Sequence, residues 1–386
     1  MLRHLLTLVF ILSVTAQQHQ HHRQPPYNRH AALSPGGGGG KHHPNQQPSS
    51  PLLTLTDNTA SFPSDIPQII LLVDPNHASG PIVSTSTSTI RLLPATPLST
   101  PPKAKAAAAA DDDGLITGVT YAPYSPQGNC LSPSEIYTDF QRMRNHPSGH
   151  AFNTVRIYGV DCDQVASVLP AAHSIGVKLF LGIYELDNLP RQVGVLVAAV
   201  KQSGLGWGMV DTISVGNELV NNGQATAGQV VGAIRAAREM LRREGYAGPV
   251  VTVDTFVAVE RHPELCDESD YCAVNCHPFF DGLTTAEQAG EFVGRKVRDV
   301  KEVLRDEDKK IVVTEAGWPW QGGSNNRAVP GREEQRRAVE GIRRVWERDW
   351  RGIRGGGGLF LFTAFDDPWK RAEEGTFYAE QFWGMA

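Results

Sequence analysis

The chain has 386 residues and a formal net charge of −5, from 36 Lys and Arg against 41 Asp and Glu. Residues 1–113 hold 14 of the 26 prolines and 8 of the 13 histidines, whereas all five cysteines and all seven tryptophans lie beyond them. This asymmetry excludes a string of similar domains and predicts one globular domain of 273 residues at 114–386, large enough for a sizeable core, behind a low-complexity tail. That domain carries 35 acidic and 29 basic side chains and no basic stripe, which excludes nucleic acid as a partner.

Residues 1–16, MLRHLLTLVFILSVTA, read as a secretory leader: Arg3, an apolar run from Leu5 to Val14, and small residues at a Val14-Thr15-Ala16 cleavage site. The run is too short to span a bilayer comfortably, so no membrane contact is expected once the leader is removed. Residues 17–113 contain QQHQHHRQPP, five consecutive glycines at 36–40 and STSTST at 84–89. Such composition cannot assemble a packed core and reads as a disordered Pro/Ser/Thr/His-rich stalk, O-glycosylated over 84–102. Only IPQIILLV at 66–73 could form a strand there.

From residue 114 onward eight apolar, β-branched runs recur: 116–124, 154–160, 178–184, 209–218, 250–256, 271–278, 310–318 and 358–367. Most are continuous rather than alternating, the mark of strands buried on both faces of a parallel sheet. Helical periodicity fills most gaps. Ser132-Pro133-Ser134-Glu135 is a capping box with proline at the first helical position, followed by Ile136, Phe140 and Met143 on one face. Val230, Ile234, Ala237 and Leu241 form a second apolar stripe, Val293, Val297, Val300 and Leu304 a third, and Val339, Ile342 and Trp346 a fourth. The gap after the fifth run is too short for a long helix. Eight strand–helix units of this size predict an α/β fold, a (β/α)8 TIM barrel. A doubly wound open sheet is the rival, disfavoured because no glycine-rich phosphate loop follows the first strand.

Cysteines fit an oxidising compartment. Cys130 and Cys162 follow neighbouring strands and can bridge. Cys272 and Cys276, four residues apart on one predicted strand, would be about 13 Å apart and cannot bond each other. Cys266 can take either, leaving one thiol unpaired.

Barrel active sites form at the C-terminal strand ends. There the sequence places Tyr121 and Tyr124 (first run), Arg156 and Tyr158 (second), Asn217 and Glu218 (fourth), His277 (sixth), Glu315 and Trp318 (seventh), and Asp366 and Trp369 (eighth). Glu218 and Glu315 stand out. Each ends an apolar run (DTISVGNE, KIVVTE), where a carboxylate is costly without a task or partner. Two carboxyls across a barrel mouth are what glycosidic cleavage requires, one neutral to protonate the departing oxygen and one ionised to attack the sugar, about 5 Å apart in a retaining enzyme. Trp318 and Trp369 are candidates to stack on sugar faces. No CxxC pair and no ligand-spaced partner for His277 exists, so neither metal nor cofactor is expected.

SVGNE at 214–218 and VTEAGWP at 313–319, with RIYGVDC at 156–162, NCHPFF at 275–280 and AFDDPWK at 364–370, resemble glycoside hydrolase family 17 of clan A, in its fungal cell-wall branch. The resemblance covers the whole domain, with one local departure: that branch often has acidic residues in place of Thr363 or Asp367. It implies a secreted retaining β-glucosidase or β-1,3-glucanase acting on cell-wall β-glucan, with Glu218 as acid/base and Glu315 as nucleophile. It further implies that Arg156 keeps Glu315 ionised, that Asn217 binds the sugar 2-hydroxyl, and that Tyr121, Tyr158, His277, Trp318, Asp366 and Trp369 line the substrate site. A monomer is expected. The alternatives are a wall-remodelling glucanosyltransferase and a catalytically silent glucan-binding wall protein.

Overall fold

The computed structural model describes residues 117–145, 152–350 and 357–385. The leader, the stalk, the 66–73 patch and Ile116 lie outside the described residues. Eight strands follow one another around a closed, all-parallel barrel: β1 (Thr117–Thr120), β2 (Thr154–Arg156), β3 (Lys178–Ile183), β4 (Val210–Asn217), β5 (Val250–Thr255), β6 (Cys272–Asn275), β7 (Ile311–Ala316) and β8 (Leu359–Leu361). Pairing of β1 with β8 completes the ring and rules out the open-sheet rival.

Helices α1 (Pro133–Arg144), α2 (Gln164–Ile175), α3 (Leu189–Gln202), α4 (Ala227–Arg243), α5 (Phe256–Arg261), α6 (Glu264–Glu268), α7 (Ala289–Val303) and α8 (Arg332–Val345) lie in the connections between successive strands. The Ser132 capping box forms: Glu135 N–H donates to the serine hydroxyl and the Glu135 carboxylate accepts from Ser132 N–H at 2.8 Å. A second box, Thr226 with Gln229, starts α4. All four predicted apolar stripes are buried. The β5 connection holds the two short helices α5 and α6, in keeping with its length.

One expectation needs correction. The eighth unit has no α-helix among the described residues, only a short 3-10 turn at Glu374–Thr376. Pro368 and Gly375 interrupt this stretch, and its apolar residues are spent inward instead of along a helical stripe. Met385 N–H donates to Thr363 O and Thr363 N–H to Trp383 O, so the segment returns to the end of β8.

The barrel interior is filled by Phe180, Val251, Val253, Tyr271, Ala273, Val312 and Phe360, with Phe180 and Phe360 edge to face at 5.5 Å. Gly118 makes room for this plug, since a Cβ there would lie 2.2 Å from the Phe360 ring. Disulfides join Cys130 to Cys162, across the segments following β1 and β2, and Cys266 to Cys272. Cys276 is the buried, unpaired thiol, just beyond the end of β6.

Candidate active site

Above the aromatic plug, the strand ends carry a connected polar network. Its hub is Arg156 on β2, 1 % exposed, with its guanidinium carbon 5.3 Å from the Phe180 ring centroid and 4.6 Å from that of Tyr158. One nitrogen, Nη1, donates to Glu315 Oε1 at 2.8 Å and to the Thr314 carbonyl at 2.9 Å. The other, Nη2, donates to Asn217 Oδ1 at 2.7 Å. A guanidinium is permanently charged and only donates, so it fixes the acceptor side of every neighbour.

Glu315 sits where β7 is irregular against both neighbours: Val274 faces Val313 but Asn275 faces Glu315, so one extra β7 residue is accommodated. Its Oε1 also accepts the Tyr158 hydroxyl at 3.0 Å, and its Oε2 lies 3.0 Å from His277 Nε2. Burial by itself would raise its pKa. The Arg156 charge, then the His277 hydrogen bond and charge, outweigh it and hold the carboxyl well below the usual carboxylate range. The half-buried Tyr158 is pushed the other way, by desolvation and by the Glu315 charge, and remains a phenol that donates.

Glu218 follows β4 directly. Opposite β5, Ser214 pairs with Val251 and Asn217 with Val253, so β4 bulges between them. Gly216 takes φ +83° in that bulge, and a Cβ there would fall 2.7 Å from Leu219 Cδ1. Glu218 itself adopts φ +55°, a left-handed conformation rare for a residue with a side chain, and is held there by its N–H on Val253 O at 2.9 Å. Its Oε1 accepts Asn275 Nδ2 at 2.8 Å. That amide orientation is forced. Asn275 Oδ1 accepts from the Thr314 hydroxyl at 2.9 Å and from Arg156 Nη1 at 3.4 Å, so its NH2 must face Glu218. A single asparagine therefore ties the Glu218 carboxyl to the guanidinium that holds Glu315.

Asn275 was not among the residues singled out from sequence, nor were three others near it. Tyr184, beyond β3, is raised to about 12 by burial and by the charges of Glu218 and then Glu315. Asp254 on β5 is 1 % exposed and described below. Lys370 pairs with Asp367 at 3.2 Å and Glu380 at 3.6 Å, which, with Glu315, keep it charged against the effect of burial.

Three predicted substrate contacts are corrected. Tyr121 is 2 % exposed and turned outward: its hydroxyl donates to Asp139 on α1 at 2.9 Å and its ring meets Phe140 edge-on. Trp318 is fully buried, donating to Val329 O at 3.0 Å and packed edge to face on Phe279. Asp366 is occupied by protein donors, Trp320 Nε1 at 2.9 Å and Gly384 N–H at 2.8 Å, and braces the C-terminal return segment. Trp369 remains partly exposed, its ring 5.0 Å from that of Tyr124, whose hydroxyl donates to Asp161 at 2.7 Å.

Comparison with known proteins follows the same outline. A family model described as the BtgE/BtgC glycoside hydrolase domain matches residues 118–384. A cell surface mannoprotein, MP65 of Candida albicans, is 41% identical over 272 residues, covering 70% of this chain and 67% of that protein. A Saccharomyces cerevisiae protein named "Probable family 17 glucosidase SCW4" is 42% identical over 270 residues, covering 70% of this chain and 65% of its own length. The chain thus spans about two thirds of these relatives. In structure it resembles the glycoside hydrolase family 17 β-1,3-glucanosyltransferase from Rhizomucor miehei, with TM-score 0.56 and 21% identity over 70% of this chain and 92% of that one.

Proposed function

We propose, from the premise that this chain belongs to the BtgE/BtgC glycoside hydrolases of family 17, that it cleaves β-glucosidic linkages of cell-wall glucan, β-1,3 linkages foremost, by double displacement with retention. The observation that carries the reading is the pairing of two strand-end carboxyls in opposite environments, linked through Asn275 and Arg156. Glu315, kept ionised among Arg156, His277 and Tyr158, is the nucleophile. Glu218 is the acid/base.

In the first step a Glu315 oxygen forms a bond to the anomeric carbon while the glycosidic C–O bond breaks, and the Glu218 proton passes to the departing oxygen. In the second, Glu218 takes a proton from water, the water oxygen bonds to the anomeric carbon, and Glu315 leaves as carboxylate. Asn217 is assigned to the 2-hydroxyl of the bound sugar. Its Oδ1 is already engaged by Arg156, which leaves its NH2 to donate. Trp369 with Tyr124 offers an aromatic surface at the mouth. The name of the Candida relative, a cell surface mannoprotein, supports a secreted, wall-located protein, as does the reading of 1–16 as a leader and 17–113 as a stalk.

The test is the anomeric configuration of the first-formed product from laminarin oligosaccharides, followed by proton NMR. A β-anomer is expected. A first-formed α-anomer, or no release of sugar from any β-glucan, overturns the reading. Products longer than the substrate would assign transfer in place of hydrolysis.

A further inference from the structure

Asp254, the fifth residue of β5, is 1 % exposed and lies one strand from Glu218. Its carboxylate accepts three backbone N–H groups: Val220 on Oδ2 at 3.0 Å, and Asn221 at 3.3 Å and Thr255 at 2.9 Å on Oδ1. Val220 and Asn221 belong to the turn that begins at Glu218, whose carbonyl accepts Asn222 N–H at 3.0 Å. The Asn221 side chain is pinned in turn, accepting the Thr255 hydroxyl at 3.0 Å and donating to Asn222 Oδ1 at 3.1 Å. Two of the three bonds to Asp254 hold the turn after Glu218, the third is to its own neighbour Thr255, and none reaches Glu315, so a buried acid is spent on bracing the turn of one left-handed glutamate.

We propose that Asp254 is a positioning residue for Glu218: it clamps the turn that presents the side chain, and its carboxyl shares a proton with that of Glu218. The assignment rests on Glu218 being the proton donor.

The electrostatics agree with the geometry. Burial, then the Glu218 charge, push Asp254 up to about 7, so the two carboxyls do not both ionise below neutrality. That shift stands against the three N–H donors on Asp254, so below neutrality the two carboxyls share one proton. The nucleophile cannot do this alone, because Arg156 on β2 and His277 beyond β6 offset the charge of Glu315 on β7. Tyr158 beyond β2 and Lys370 beyond β8 act on Glu315, and Tyr184 beyond β3 is raised by both glutamates.

The test compares wild type with Asp254→Asn. The alkaline limb of kcat/KM on laminarin oligosaccharides should fall by about one pH unit or more. At pH 7 the loss should be large with these poor leaving groups and small with activated aryl β-glucosides. An unmoved alkaline limb, with equal loss on both substrates at every pH, would make Asp254 merely structural and overturn the proposal. A second readout needs no turnover and no folding of the Asn variant. The Asp254 carboxyl, labelled with 13C, is titrated in wild type and in Glu218→Gln. Its midpoint should drop by about one unit or more in the variant, and an unchanged midpoint refutes the coupling. If the wild type hydrolyses no β-glucan, the functional reading fails while this titration still decides the coupling.

Discussion

The surroundings of Glu315 and Glu218 differ although both glutamates end apolar strands at irregular points in the same barrel. Around Glu315 converge a guanidinium, a phenol and an imidazole from β2 and the β6 end, all on its two oxygens. Glu218 Oε1 accepts from a neutral amide, and a second buried carboxyl lies behind its turn. In the proposed mechanism the same side chain serves as an anion in one place and as a proton carrier in the other. The difference arises from neighbours supplied by other strands, which is what a closed barrel makes available.

Removing Glu315 breaks the comparison most severely. Glu315→Ala should lower kcat by at least about 10^4-fold with the fold intact, as checked by circular dichroism. Azide entering the vacated space should then give α-glucosyl azide, the inverted product, whereas azide with Glu218→Ala should give the β-azide. If both variants gave the same anomer, the two roles would not be distinct.

Glu218→Gln should cost about 10^2–10^4-fold on glucan and least on activated aryl glycosides, whose leaving groups need no proton. Equal losses on both substrates would contradict an acid role.

Arg156→Met erases the asymmetry from the other side. Glu315 would keep its burial and lose its principal counter-charge, so the acid limb of kcat/KM should move up by about one to three pH units. In the wild type the depressed Glu315 pKa contributes stability that is present above its unfolded pKa and lost as pH falls through the folded one. In the variant the folded pKa lies above the unfolded value, so ionising Glu315 becomes a penalty. The stability gap between the two proteins, followed through Tm, should therefore widen from pH 4 to pH 7, reaching about 3–5 kcal/mol. A gap independent of pH would show that Arg156 acts by packing alone.

Which parts of this contrast can be read from sequence depends on local signal. Glu218 and Glu315 are legible because an acid at the end of a β-branched run violates the burial pattern. Asp254 breaks the same rule inside VVTVDTF and carries the same signal, but it points to a backbone turn on another strand, and nothing local names that partner. Asn275 is a neutral amide, and its value comes entirely from Arg156 and Thr314 beside it. Trp318 and Tyr121 mislead because nearness in sequence to a strand end does not fix the side. Parity does: three residues beyond Glu315 and one beyond the inward Thr120, each falls on the face toward the helices. The barrel is legible because eight apolar runs, most of them continuous, repeat the same grammar with stripes in most of the gaps between them. The missing eighth helix is not, because it is a stretch where that grammar stops.

Gly216→Ala tests the bulge under Glu218 with a smaller change. A methyl at φ +83° should cost about 1–2 kcal/mol from backbone strain, besides the contact with Leu219. Because the displaced residues are Asn217 and Glu218, kcat on glucan should fall more than Tm predicts. A stability loss with unaltered kcat would mean that the bulge does not aim the acid.

The smallest effect is expected farthest from both glutamates. Trp369 is tilted 59° to Tyr124 at the mouth and donates to Asp367 Oδ1 at 3.1 Å, so its ring is held without being buried. An aromatic contact of about 0.5–1.5 kcal/mol corresponds to a roughly 2- to 12-fold rise in KM for Trp369→Ala. Since the ring touches neither carboxyl, kcat and both pH limbs should stay in place, and Trp369→Phe should restore most of the affinity. A fall in kcat with unchanged KM would move Trp369 from sugar binding to support of the Asp367–Lys370 pair, and through Lys370 to the charge on Glu315.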